Sequence, residues 1–131
     1  MKAFHIVNFI IISLLLVGIC ISEELVVSNS LREVQTRTMK IERLIDDLDS
    51  LKNTEIVLAI DNLEDRWTQH ESNLCFMVNH KNIQEIGQEI AKLKQYVSSD
   101  DIDEARVSLS SIKFYCHSYL HFMGANLHNV L

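Results

Sequence analysis

The chain contains no proline and only 3 glycines among its 131 residues. These two residue types punctuate most turns and strand ends. Their scarcity argues against an all-β fold and for long helices joined by short connections. A Gly-rich phosphate loop, a Gly-x-Ser-x-Gly nucleophile turn and a Cys-x-x-Cys pair are all lacking. The phosphate-loop, serine-hydrolase and dithiol-redox classes therefore have no starting point here. Basic residues are also in the minority, with 12 Lys and Arg against 18 Asp and Glu for a net charge of -6. They are scattered among acids rather than gathered into a stripe. Nucleic acid is excluded as an expected partner on that ground.

What is present starts with a long apolar run. From Phe4 to Ile21 only His5, Asn8 and Ser13 interrupt it, with Lys2 before and Glu23 and Glu24 directly after. As a helix this run reaches about 27 Å, enough to cross a hydrocarbon core. Positive before and negative after favours the amino end inside and the remainder outside. Residues 1–22 are therefore read as a signal anchor or a cleaved signal peptide, and residues 23–131 as one exported domain. Cys20-Ile21-Ser22 is a poor small-x-small cleavage site, so an uncleaved single-pass anchor is preferred over secretion after a cut near Ser22. Ile19 before Cys20 is too bulky for a lipoprotein site. Membrane contact is expected through residues 4–21.

The exported part reads as helix throughout, because apolar residues recur at spacings of three and four. The first stretch, about Ser28 to Leu51, carries Leu31, Val34, Thr38, Ile41, Ile45 and Leu48. This is a coiled-coil-like seam with one polar interruption, and it continues naturally from the apolar segment. The second, about Thr54 to Val78, carries Ile56, Ile60, Leu63, Trp67, His70, Leu74 and Met77. Asn53 or Thr54 supplies its N-cap, and Trp67 is expected as a core anchor. After a polar break at Asn79-His80-Lys81-Asn82, a third stretch carries Ile83, Ile86, Ile90, Leu93 and Val97. Gly87 and Ala91 border that stripe and allow a close helix contact. Ser98 to Asp101 lead into a fourth stretch, with Asp101 and Glu104 spaced as a capping box. Its core stripe is Ala105, Leu109, Ile112, Cys116, Tyr119 and Met123. The expected fold is all-α: an apolar anchor helix, then a three- to four-helix bundle ending in a helical hairpin.

Trp67 through Leu74, the Asn79-His80-Lys81-Asn82-Ile83 break, Ile86, Ile90 and Leu93, and the closing Asn126 to Leu131 together resemble a bacterial family catalogued as domain of unknown function 4363. The resemblance covers most of the chain. It implies an extracytoplasmic protein from a Firmicute source, and it brings neither an activity nor catalytic residues.

Few residues suggest chemistry. His117 and His121 are four apart on one helix, a spacing that places two imidazoles on one face as in helical zinc sites. The glutamate of the zinc-protease signature is missing, and His80 or His128 would have to supply a third ligand. A solvated pair is the preferred reading, and no cofactor is expected. Cys75 and Cys116 could pair outside the membrane, but a hairpin about residue 99 sets Cys116 opposite position 83, so two separate small hydrophobes are preferred. Cys116 and His117 point about 100° apart on a helix and make a poor nucleophile–base pair. Asp46, Asp47, Asp49, Asp61, Glu64 and Asp65 lie on polar helix faces and read as solvated. Val107 and Phe114 fall opposite the core stripe of the fourth helix, and with Phe122 they form the expected interaction face, beside His117 and His121. The expected role is a non-enzymatic structural or protein-interaction module, self-association included. The rival expectation is a small-ligand or metal-binding protein using the His-bearing C-terminal helix.

Overall fold

The computed structural model describes the backbone through Val130 and side-chain surroundings through Gly124. His128 and the closing Asn126–Leu131 segment, both named above, have side chains outside the described residues. Four helices occupy the chain: α1 (Lys2–Leu48), α2 (Thr54–Met77), α3 (His80–Ser99) and α4 (Ile102–Val130).

α1 runs for 47 residues without a break, about 70 Å at the usual rise per residue. It carries the chain from the apolar run straight into the bundle. Its end is set by Asp49, which takes a left-handed conformation and sends its N–H back to Ile45 O at 3.0 Å. The helix therefore stops three residues short of Leu51, which is buried in the connection instead. Asn53 caps α2 as its sequence suggests, its Oδ1 accepting from Glu55 N at 2.8 Å. The polar break after α2 is shorter than expected. Asn79 caps Lys81 N at 3.1 Å, so His80, Lys81 and Asn82 already belong to α3.

α3 closes on a two-bond motif around Asp100, whose φ is 59°. Asp100 N donates to Val97 O and Asp101 N to Tyr96 O, the pattern that normally favours glycine at the left-handed position. Asp101 Oδ1 in turn accepts from Glu104 N at 3.2 Å and starts α4. Only that half of the capping box forms, because the Asp101 N–H is already committed to Tyr96.

The helices pack in a ring. α1 touches α2 and α4, and α3 touches α2 and α4, while the α1–α3 and α2–α4 pairs lie across the diagonals. This is an antiparallel four-helix bundle with short connections. Its core is the set of stripes read from the sequence: Leu31, Val34, Ile41 and Ile45 from α1, Ile56, Ile60, Leu63, Trp67 and Leu74 from α2, Ile83, Ile86, Ile90 and Leu93 from α3, and Ala105, Leu109, Ile112 and Cys116 from α4. Thr38, the polar break in the first seam, is fully buried and donates its hydroxyl to Val34 O at 2.8 Å, which removes the cost of an unpaired hydroxyl in the core. Met77 and Leu48, at the ends of their stripes, are exposed.

Trp67 is 3% exposed and lies against α3, where a Cβ at Gly87 would sit 3.0 Å from its Nε1. Gly87 is thus the gap that admits the indole edge.

Candidate functional site

The α4 surface facing away from the core carries the residues singled out from the sequence. Val107, Phe114 and Phe122 are 59%, 66% and 63% exposed, values expected of surface side chains rather than of a core stripe. Val107, Phe114 and His121 recur every seven residues and share one narrow strip, within about 40° of arc. Phe122 does not share it. It is turned about 80° from Phe114 and lines a shallow groove between α4 and the start of α3, with Tyr115, Tyr119, Asn79 and Asn82. The expected single face therefore divides into an outward strip and a groove edge, because eight residues overshoot two helical turns.

His117 and His121 lie on the same side and stack, with ring centroids 6.4 Å apart and planes 14° from parallel. The four-residue spacing did bring them together. His80, at the N-terminus of α3, does not join them, and among the described residues no three His, Cys, Asp or Glu side chains converge as metal ligands would.

Cys75 and Cys116 are both free thiols. They sit on α2 and α4, the diagonal helices, which make no Cα approach within 8 Å. A disulfide needs its Cα atoms within about 7 Å, so this pairing does not form. Cys116 is fully buried, and burial pushes its thiol up to about 12. It is held as an unreactive thiol, and neighbouring His117 points outward and is exposed.

The densest polar arrangement was not read from the sequence. It is centred on Glu33 of α1, whose carboxylate lies between α1 and α2. Arg66 donates to both of its oxygens, from Nε at 2.7 Å and from Nη2 at 3.0 Å. His70 Nε2 is 2.7 Å from Oε2, and Arg37 Nε donates to Oε1 at 3.0 Å. The Arg66 hydrogen bonds, reinforced by His70 and Arg37 against the opposing effect of burial, hold the Glu33 carboxyl down at about 2. Two i, i+4 pairs, Glu33 with Arg37 and Arg66 with His70, were the available signal. A forked arginine on a carboxylate is a positional clamp, and here it sets the register of α2 on α1. Lys113 with Glu42 and Arg106 with Asp46 do the same between α4 and α1, and Lys94 bridges α3 to Glu64 and Asp61 on α2. The acids read as solvated thus partly serve as rungs between helices.

Fold and surface define a class: an antiparallel four-helix bundle carried on a long apolar helix, with an exposed strip of apolar and imidazole side chains on the last helix. The chain belongs to the family described as domain of unknown function (DUF4363), which matches residues 24–130. That match starts where the apolar run ends and spans the whole bundle. Neither the curated proteins nor the solved structures contain a match to the chain.

Proposed function

We propose that this protein is a membrane-tethered, non-enzymatic interaction module, displayed on the outer side of the membrane by a single-pass helix. One observation carries the reading: α1 is a continuous helix whose first half exposes Phe4, Phe9, Leu14, Leu15 and Ile19, while its second half is buried in the bundle. Such exposed apolar surface is costly in water and favourable in a bilayer. The same helix that spans the membrane then forms one quarter of the bundle, so the tether is rigid and fixes the bundle's direction. Lys2 before the run and Glu23 and Glu24 after it support the amino end inside and the bundle outside.

The working surface is the Val107–Phe114 strip with His117 and His121 beside it. Tethering confines both partners to a thin layer, so a small apolar contact suffices for association. Ion pairs between helices give Glu33, Glu42, Asp46, Asp61 and Glu64 a structural role, which supports the non-enzymatic reading.

The test uses native membranes. The full chain should resist alkaline extraction, dissolve in detergent, and be digested by protease added to the outside of intact cells. Recovery of a soluble form beginning near Glu23 would overturn the tether, and protection from external protease would overturn the orientation. A photoreactive residue placed at exposed Val107 should yield a defined adduct that Phe114→Glu abolishes while circular dichroism stays unchanged. An adduct indifferent to that change would overturn the assigned face.

A further inference from the structure

The ion pairs between helices fix which residues lie at the same height. Glu33 on α1 faces the Arg66–His70 turn of α2. Leu25 lies as far before Glu33 as Phe76 lies beyond the middle of that turn, and all helix residues rise equally. Phe76 is therefore level with Leu25, at the point where α1 leaves the bundle and becomes the apolar run. Arg106 with Asp46 and Lys113 with Glu42 show that α4 descends along α1 in the same sense, so its last turns approach that end too. One end of the bundle thus gathers the exit of α1, the α2–α3 turn and the end of α4.

The chemistry of that end differs from the rest of the surface. Phe76 is 92% exposed, its neighbour Met77 39%, and Leu25, at the same height on α1, 57%. Phe122 borders the same turn across the groove it shares with Asn79 and Asn82. The segments reaching this end, Ser72 to His80 and Phe114 to Val130, contain no Asp, Glu, Lys or Arg. The opposite end, at the α1–α2 and α3–α4 connections, carries Asp46, Asp47, Asp49, Asp100, Asp101 and Asp103. A phenylalanine this exposed gains nothing from the bundle. Aromatic and uncharged polar side chains are the groups that settle at the boundary between headgroups and acyl chains.

We propose that this end of the bundle docks on the bilayer that α1 crosses, with Phe76 inserted at the headgroup–acyl boundary. The inference rests on the tether reading above and adds a second, lateral contact to it. The occupant is phospholipid, because Phe76 shares its height with the exit of the apolar helix, and a flexible link that would lift the bundle away is missing. The contact is apolar rather than ionic: Glu23 and Glu24 stand at the same level, so docking does not depend on anionic lipid. It holds the bundle upright at fixed height, with the α4 strip lateral and the acidic end outermost.

The experiment reconstitutes the full chain in phosphatidylcholine vesicles, with Trp67 kept as a buried internal reference. Three variants each add one tryptophan: Phe9→Trp in the apolar run, Phe76→Trp at the docking end, and Leu58→Trp on the exposed part of α2 toward the far end. All three replace exposed side chains, so folding is preserved. Emission is read with lipids brominated high on the acyl chain and with aqueous iodide. The proposal expects bromolipid to remove most of the added emission for Phe9→Trp and Phe76→Trp and none for Leu58→Trp, with iodide quenching only the last. Phe76→Trp quenched by iodide and spared by bromolipid, while Phe9→Trp is quenched by bromolipid, would overturn docking and leave the tether standing. Phe9→Trp spared by bromolipid would overturn both.

Discussion

Gly87→Ala is the sharpest test of how α2 and α3 meet. An alanine in the middle of α3 should stabilise that helix by about 1 kcal/mol on propensity alone. Against this, the new Cβ would sit 3.0 Å from Trp67 Nε1 and 3.8 Å from Cε2. Ordinary contact is wider than 3.0 Å, so the indole, only 3% exposed, must give way by a few tenths of an ångström within its packing. Overfilling a packed contact costs about 1–3 kcal/mol, so Gly87→Ala should lower stability by about 1 kcal/mol net. The cause can be isolated by repeating the change in a Trp67→Phe background. Phenylalanine lacks the five-membered ring, and the helical gain should then emerge, making Gly87→Ala stabilising by about 0.5–1 kcal/mol. The two sites should show a coupling of about 1–3 kcal/mol in a double-mutant cycle. Urea unfolding of the full chain in detergent, followed by far-ultraviolet circular dichroism, measures all four proteins. A Gly87→Ala effect of the same sign and size in both backgrounds would refute the reasoning.

The Glu33 clamp gives a pH signature. Its carboxyl titrates at about 2 in the folded chain against an ordinary 4.5, so its stabilisation is complete above pH 4.5 and is lost as pH falls toward 2. Allowing for screening of a partly exposed pair, about 1–2 kcal/mol should vanish across that window, and Glu33→Gln should flatten the acid limb of the stability profile. If Glu33→Gln leaves that limb intact, the clamp is not its source. At the end of α1, Asp49 holds φ at 45° with its side chain exposed. Asp49→Gly should raise the unfolding free energy by about 0.5 kcal/mol, a left-handed position favouring glycine; a loss of stability would mean that the carboxylate has a structural role. The two bundle thiols should leave electrophoretic mobility unchanged on reduction, and Cys116 should resist a water-soluble maleimide until the chain is unfolded. Rapid labelling of Cys116 in the folded chain would contradict its burial.

Much of this architecture is written in local pattern. Helix content follows from the missing proline and the apolar spacings. Asn53 and Asp101 cap where their side chains predict, since capping involves only the next few residues. The buried set from Leu31 to Cys116 matches the stripes, because a helix carries its 3.6-residue period wherever it packs. Trp67 was legible as an anchor and Gly87 as a close-contact position for the same reason. The apolar run announced itself by length alone.

Position between helices was not legible. Periodicity says which face is buried but not which neighbour covers it. Only the ring order puts Cys75 and Cys116 on diagonal helices and removes their disulfide. Only the height of α2 on α1 turns four separate polar residues into the Glu33 clamp. That Phe122 edges a groove with the start of α3 depends on how α4 lies against α3. Phe76, unremarkable in its own helix, became level with the exit of α1 through pairings far apart in sequence. Local residue patterns suffice for an all-helical chain with one long apolar run and four amphipathic stripes, since those depend on contacts a few residues long. The tertiary structure alone decided which helices are neighbours, at what height they meet, and therefore which end of the bundle faces the apolar helix, since those depend on packing and ion pairs between distant segments.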